Sequence, residues 1–331
     1  MAVTIKDIAK HAGVSYSTVS KALRNSPLVK EPTKKKIIKI AEEMGYVPNI
    51  VARSLVQKKS YAIGVVWPTV ERVTPSALIT KINELLEEKS YTTLLSINSV
   101  DSAIATFNRF QVDAIVVFAE TMSDLTRSKN VMSKVPILYY GIKESSEYPT
   151  IDVNRRHAIK IAVEHLVKIG HTKVSYIGDV STQDHLQKEK HLGFLEAIDE
   201  FNLDLFSKSI VPTNGLELYD GYLAAKSLFN KSTEVTAIVS GSYDLTRGIV
   251  RAAQELNINI PNDVSIIGYD NISQSEDLDI PFSKVGVPLN RIANKITETL
   301  LDIINENNTN NSIILEPELN IINSCAKPKN N

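Results

Sequence analysis

From Tyr61 onward the chain alternates between short apolar runs and amphipathic stretches, and this alternation restricts the fold more than any other feature. The apolar runs are Ala62–Trp67, Thr92–Ile97, Ala114–Phe118, Ile137–Tyr140, Val174–Ile177, Ala237–Ser240 and Val264–Ile267. Between them lie helical stretches such as Leu78–Lys89, Arg155–Ile169, Leu192–Asn202, Gly221–Phe229 and Leu245–Leu256. Strands covered by crossover helices on both faces read as short, continuously apolar runs, so the pattern predicts buried parallel sheets. About 270 residues of such units exceed one compact sheet, and two doubly wound α/β lobes are expected. The expected N-lobe is about 61–155 with part of 288–323, and the C-lobe about 156–287. In open sheets of this kind ligands bind beyond the carboxyl ends of the strands, so two lobes can share one cleft.

The first sixty residues follow a different rule. Thr4-Ile5-Lys6-Asp7 has the capping-box form, and Ile5, Ile8, Ala9 and Ala12 follow at the spacing of one helix face. Gly13 falls where a helix stops, and Ser15 caps a second short helix with Val19, Ala22 and Leu23 on its apolar side. Two short helices joined by the tight Ala12–Ser15 turn have the shape of a helix-turn-helix. A third helix is expected from about Pro32 to Met44, ended by Gly45. Lys30 stands where a capping side chain belongs, with Glu31 and Pro32 suiting the first turn. The expected division is a helix-turn-helix domain at 1–46, a hinge helix and linker at 47–60, and the two-lobe body at 61–331.

Charge divides the same way. The whole chain holds 37 Lys+Arg against 38 Asp+Glu, a formal net charge of −1. Residues 1–60 hold 12 basic and 4 acidic residues, an excess of eight, which leaves 25 basic and 34 acidic in the rest, a deficit of nine. A basic module on an acidic body points to nucleic acid as the partner of the first sixty residues.

The outer face of the second helix carries Tyr16, Ser17, Ser20, Lys21 and Arg24, all hydrogen-bond donors. Such a helix fits the major groove, where lysine reaches guanine O6 and N7 and hydroxyls reach bases or phosphates. Lys34, Lys35, Lys36 and Lys39 have two readings, phosphate contact or a plain solvated face. Asn49 begins a further stretch through Leu55 that is too short to stand alone as a helix in water.

These residues carry a resemblance. Thr-Ile-x-Asp-Ile-Ala, then Ala-Gly-Val-Ser-x-x-Thr-Val-Ser-x-x-Leu, then Gly-Tyr-x-Pro-Asn-x-x-Ala-Arg-Ser-Leu resembles the LacI/GalR family of bacterial repressors across sixty residues without gaps. The resemblance implies a DNA-facing set of Ser15, Tyr16, Ser17, Ser20, Lys21 and Arg24. Asn49, Ala52 and Leu55 would lie on a hinge helix that folds on DNA as a dimer. Leu55 falls at the minor-groove wedge, a role that unstacks a base step at a cost of about a few kcal/mol; the alternative is an ordinary linker residue.

The resemblance continues at Ile151–Arg155, at Ala162–Leu166 with Gly170-His171, and at Asp263–Asp270. It implies a periplasmic-binding-protein-like effector domain with Asp152, Lys190, Ser242, Tyr243 and Asp270 at the cleft. Each aspartate has the alternative of a cap or turn residue. Where the family commonly has Arg and Asn-Asp, this chain has Lys190 and Ser242-Tyr243, and Arg and Lys are not interchangeable at a bidentate site. A sugar-like or sugar-acid effector is therefore expected. Trp67, the only tryptophan, is either a stacking wall for a sugar ring or core.

Other chemistries are not signalled. No dinucleotide fingerprint, P-loop, metalloprotease or nucleophile-elbow motif occurs, and neither catalytic residues, a metal site nor a cofactor is expected. His185, Glu189 and His191 are not spaced as ligands on one helix face. Cys325 is the only cysteine, which excludes a disulfide framework. No run approaches 18 apolar residues and no secretory leader pattern is present, so a cytoplasmic, nucleoid-associated protein without membrane contact is expected. The last residues, Ser324–Asn331, carry no leucine heptad, and a homodimer reading a pseudo-palindromic operator is expected. Two rivals stand beside the sugar-controlled repressor. In one a phosphorylated carrier protein supplies the signal; in the other the same fold serves as a sugar-binding or enzymatic protein.

Overall fold

The structure, a computed structural model, describes residues 3–23, 25–46, 59–67, 69–119, 133–143, 147–181, 184–231, 234–275, 280–306 and 311–329. The chain divides into two compact units, Met1–Ser60 and Tyr61–Asn331.

The first unit holds three helices, α1 (Ile5–Ala12), α2 (Tyr16–Leu23) and α3 (Glu31–Glu43). The expected capping box starts α1: Thr4 N donates to Asp7 Oδ2 at 2.9 Å, and the Thr4 hydroxyl accepts from the Asp7 amide. Gly13, at φ +69°, ends the helix in the left-handed region where a side chain is disfavoured. Ser15 Oγ accepts from Thr18 N at 3.1 Å and so caps α2. Lys30 supplies no side-chain cap to α3. Ile8, Ala12, Val19, Ala22, Val29, Ile37 and Ala41 form the small shared core.

The second unit contains two six-stranded sheets. In chain order its elements begin with β1 (Ala62–Val66), α4 (Val73–Glu88), β2 (Thr92–Ser96), α5 (Val100–Phe110), β3 (Ala114–Phe118), β4 (Ile137–Tyr140) and β5 (Thr150–Val153). Then come α6 (Arg155–Lys168), β6 (Val174–Gly178), α7 (His185–Glu200), β7 (Ile210–Pro212), α8 (Leu218–Lys231), β8 (Ala237–Ser240) and α9 (Tyr243–Glu255). The last are β9 (Ser265–Asn271), β10 (Ser283–Pro288), α10 (Leu289–Ile304), β11 (Ser312–Leu315) and β12 (Glu318–Asn320). The sheet orders are β11-β5-β4-β3-β1-β2 and β12-β10-β9-β8-β6-β7, and every pairing is parallel except β12 with β10. Both sheets thus place their first strand inside and reverse direction beside it, the doubly wound arrangement in which a ligand site opens at the strand ends.

Alternation along the strands explains the two-sided cores. Ile63 and Val65 of β1 and Ala114, Val116 and Phe118 of β3 face one side, against Leu78, Ile82, Ile292, Ile296 and Leu300. Val66, Ile115 and Val117 face the other, against Ala103, Ile104 and Phe107. In the second lobe α8 and α9 touch through glycines. A Cβ on Gly248 would sit 2.0 Å from the Leu218 carbonyl oxygen, so no larger residue fits.

The chain crosses between lobes three times. It leaves the first lobe at Asn154, returns at Pro288 as α10 packs on the first-lobe core, and leaves again after β11. Glu316 ties these crossings together: it accepts from Asn154 Nδ2 at 3.2 Å, meets His157 Nδ1 at 2.8 Å, and its carbonyl accepts from Arg291 at 3.2 Å.

Five strands and two helices of the body go beyond the runs named from sequence: β5, β7, β10, β11, β12 and the amphipathic α5 and α10. The strands are short, edge-placed or interrupted by polar residues. Four of the five expected helices start earlier than their apolar pattern. Asp184 caps α7 by accepting from Leu186 N and Gln187 N at 2.8 and 3.2 Å, which moves its start to His185. Among the described residues no helix is long and apolar enough to cross a membrane, and no cluster of His, Cys, Asp or Glu could hold a metal.

Candidate operator-reading helix and ligand cleft

In the first unit, α2 buries Val19 and Ala22 and turns its other side outward. Tyr16 is 54% exposed, Ser17 and Lys21 are exposed, and Ser20 is half-buried. Ser17, Ser20 and Lys21 stand at i, i+3 and i+4, so they share one face. Ser15 is engaged locally, with Oγ 2.9 Å from Ser17 Oγ and 2.8 Å from Thr18 Oγ1. Arg24, Asn49, Ala52 and Leu55 lie outside the described residues.

The lysines of α3 separate into different roles. Lys34 fits neither reading offered by the sequence. It is buried, donates to Asn25 Oδ1 at 2.7 Å and lies 3.4 Å from Glu31, so it fastens the loop before α3. Lys36 donates to the Ala12 carbonyl at 3.3 Å, and Lys39 pairs with Glu43 at 3.7 Å on the surface.

In the second unit, a cavity of about 130 Å³ lies between the lobes. Its aromatic lining is Trp67, Phe118, Tyr140 and Tyr269; its polar lining includes Arg72, Arg155, Asp184, Gln187, Lys190 and Asp270. Trp67, Phe118 and Tyr140 sit at or just past the carboxyl ends of β1, β3 and β4, and Tyr269 and Asp270 near the end of β9. The tryptophan belongs to the core and also reaches the cavity. It is 3% exposed and packs on Phe118 at 3.9 Å between ring centroids, yet it also lines the cavity.

Asp270 is held from both sides. Its Oδ2 accepts from Tyr243 N at 3.0 Å, at the start of α9, and from Thr74 Oγ1 of the opposite lobe at 3.1 Å. Its backbone φ of +87° is rare for a non-glycine residue and marks a fixed geometry. A second bond crosses the cleft from Val73 N to Asp244 Oδ2 at 3.1 Å. Burial pushes the Asp244 carboxyl up.

Lys190 is 3% exposed. Its Nζ donates to the Gly241 carbonyl at 2.7 Å and lies 3.9 Å from the Tyr269 ring centroid. Burial pulls its pKa down to about 7; Asp270 and Asp184 oppose that fall, while Arg72 and Arg155 add to it. The Tyr140 and Tyr269 hydroxyls are pushed well up by burial.

Three of the six expected cleft residues, Trp67, Lys190 and Asp270, line the cavity. The others stand behind it. Asp152 is buried in an ion pair with Arg155, and it is Arg155 that faces the cavity. Ser242 caps α9 by accepting from Leu245 N at 3.3 Å. The Tyr243 ring packs on Phe282, and its hydroxyl donates to the Gln274 carbonyl at 3.1 Å. Gln187 was legible in principle, since it lies one turn before Lys190 on α7. Arg72, in the turn before α4, had no periodic signal.

A helix-turn-helix unit on the same chain as two doubly wound lobes with a cleft between them points to the class of DNA-binding transcription regulators. Comparison with known proteins narrows the class. The model of bacterial regulatory proteins of the lacI family matches residues 4–49, and that of the periplasmic binding protein-like domain matches residues 163–325. Catabolite control protein A of Priestia megaterium is 29% identical over 96% of this chain and 97% of its own length. The HTH-type transcriptional repressor PurR of Photorhabdus laumondii is 29% identical over 96% of this chain and 95% of its own. The crystal structure of the lac repressor dimer bound to operator and the anti-inducer ONPF superimposes with a TM-score of 0.84, covering 98% of this chain and all of that one at 21% identity, which establishes the fold. Residues 4–49 thus carry the DNA-binding domain of the lacI family and residues 163–325 a periplasmic binding protein-like domain, and the chain is similar over nearly its whole length to transcription regulators built the same way. Both of these relatives are named as regulators of transcription or of catabolite control, and neither is named as an enzyme.

Proposed function

We propose that the protein is a cytoplasmic, nucleoid-associated homodimer that represses transcription from a pseudo-palindromic operator and is controlled by a small carbohydrate-like effector in the inter-lobe cleft. The observation that carries this reading is the pair of hydrogen bonds across the cleft, Thr74 to Asp270 and Val73 to Asp244. A ligand seated among these residues exchanges its own hydroxyls for those bonds, so occupancy and lobe closure are linked. Asp270 suits a sugar, because a carboxylate accepts from two neighbouring hydroxyls and aromatic walls cover the ring.

On DNA, Tyr16, Ser17 and Lys21 read base edges in the major groove while the surrounding lysines contact phosphate. The hinge at 47–60 folds only with its partner copy on the operator, and Leu55 wedges into the central step. Effector binding biases the lobes against the arrangement that lets the hinges pair. A coupling of about 1–3 kcal/mol changes operator affinity roughly 5–150-fold.

Operator selection from random duplexes, followed by binding of Leu55→Ala at several salt concentrations, tests the DNA half. Specific affinity is expected to fall more than non-specific affinity, and equal losses on both would remove Leu55 from operator recognition. Calorimetry with a sugar panel tests the effector half. Silence to every sugar, together with capture of a phosphorylated carrier protein, would transfer control to that partner.

A further inference from the structure

Three cations line the cleft cavity, and only Arg155 has a carboxylate within 4 Å among the described residues, its partner being Asp152. Lys190 is bonded to a neutral carbonyl, and Arg72 stands near enough to oppose its charge. Buried polar atoms without a partner cluster at the same cavity: Trp67 Nε1, Arg72 Nε and Gln187 Oε1. Trp67 and Gln187 are 3% and 2% exposed, so water does not reach these groups freely. Nearly all buried polar atoms in folded proteins are paired, and a cluster of unpaired ones lining a cavity describes the ligand by complement. Two of the three are donors, so the ligand presents acceptors to Trp67 and Arg72 and a donor to Gln187.

We propose that this cleft takes a single-ring sugar acid, its carboxylate held by Arg72 and the Trp67 N–H and facing Lys190, its hydroxyls shared between Gln187 and Asp270. This rests on the carbohydrate reading above and specifies the charge of the ligand. A carboxylate would give Arg72 a direct ionic partner and add to the support Lys190 already has from Asp184 and Asp270, and its oxygens accept from both unpaired donors. Asp184 and Asp270 also line the cavity and favour the charge of Lys190, but with a neutral hexose Arg72 still has no direct counter-charge in a mostly apolar enclosure, which is costly. The volume is on the scale of the ~150 Å³ cavity that admits one six-membered ring, and the aromatic walls cover the ring faces.

The test is titration calorimetry on the full-length protein at pH 7 with galacturonate, glucuronate and mannuronate, the three matching neutral hexoses, and galactose 6-phosphate. One uronate is expected to bind at least tenfold tighter than its neutral partner. Arg72→Gln is expected to weaken the uronate at least tenfold and the neutral hexose less than threefold, and Arg72→Lys to keep part of the preference. Trp67→Phe keeps the ring and removes the N–H, so it is expected to weaken uronate binding several-fold. Unchanged melting and non-specific DNA binding certify that each variant is folded. A neutral hexose that binds as tightly as its uronate overturns the proposal and leaves the carbohydrate reading standing. Binding of the phosphate alone overturns the carboxylate assignment. Failure of all seven compounds overturns both.

Discussion

Thr74 donates its hydroxyl to Asp270 Oδ2 at 3.1 Å, joining the start of α4 in one lobe to the end of β9 in the other. The same oxygen accepts from Tyr243 N, so it is shared between a side chain across the cleft and the first turn of α9. Asp270 therefore reports on both lobe closure and the helix N-terminus, where a negative charge is stabilised.

Asp270→Asn separates these roles. Asn tolerates the positive φ and keeps an acceptor, but loses the charge. The helix-end interaction it removes is worth about 0.3–1 kcal/mol, so melting is expected to fall by only a few degrees. Ligand-induced stabilisation is expected to vanish while operator affinity in the absence of ligand is retained. A ligand response equal to that of the parent in thermal melts would exclude Asp270 from the site.

The Asp152–Arg155 pair lies in the interior, both side chains under a tenth exposed. Asp152→Asn leaves a buried guanidinium without its counter-charge and is expected to cost about 3–5 kcal/mol, whereas Asp152→Leu with Arg155→Met is expected to recover most of that. The double variant is still expected to bind effector poorly, because Arg155 lines the cavity. Urea midpoints measure the first part and calorimetry the second. A single variant as stable as the parent would show that the pair carries no structural load.

Lys190 makes ligand affinity depend on pH. Its folded pKa, drawn down to about 7 by burial, leaves it mostly neutral at pH 9 in the empty cleft. Asp270 and Asp184 favour its charge, Arg72 and Arg155 oppose it, and the Tyr269 ring covers it. A bound carboxylate raises that pKa, so binding takes up a proton above pH 7. Affinity for a uronate is expected to fall from pH 7 to pH 9, by at most about tenfold per unit. Lys190→Met should flatten the profile; a parent profile already flat would refute proton uptake at this lysine.

His171 introduces acid sensitivity of a different origin. Its Nδ1 lies 2.8 Å from Thr236 Oγ1, and its Nε2 lies 3.0 Å from Ser265 Oγ and 2.9 Å from the Ala326 carbonyl. Burial holds its pKa below the ordinary histidine value, with the Ala326 bond pulling the other way. The folded state thus prefers the neutral ring. The associated stability is complete above about pH 6.5 and is lost as pH falls below it. Calorimetric melting is expected to drop between pH 7 and pH 5.5, and His171→Gln to reduce the drop. An unchanged slope in that variant would move the effect to other groups.

What the sequence determined by itself was local or periodic. The Thr4 capping box, the Gly13 stop and the Ser15 cap lie within three or four residues of what they act on, so their chemistry is readable from the string. Buried strands such as Ala114–Phe118 announce themselves because both of their faces are covered. The exposed donors of α2 follow from helix spacing, and with them a DNA-facing surface. The tertiary structure decided which of the charged and polar residues meet. Arg72, Gln187 and Tyr269 are separated by more than eighty residues at each step, and only the two sheets with their three crossings bring them to one cavity. Asp152, expected at the cleft, is paired with Arg155 across the turn from β5 into α6, because a buried guanidinium is costly without a counter-charge. Lys34, one of a run of like lysines, is singled out only by burial beside Asn25. Sequence spacing fixes which face a side chain takes; desolvation and pairing, set by distant segments, fix what that side chain is free to do.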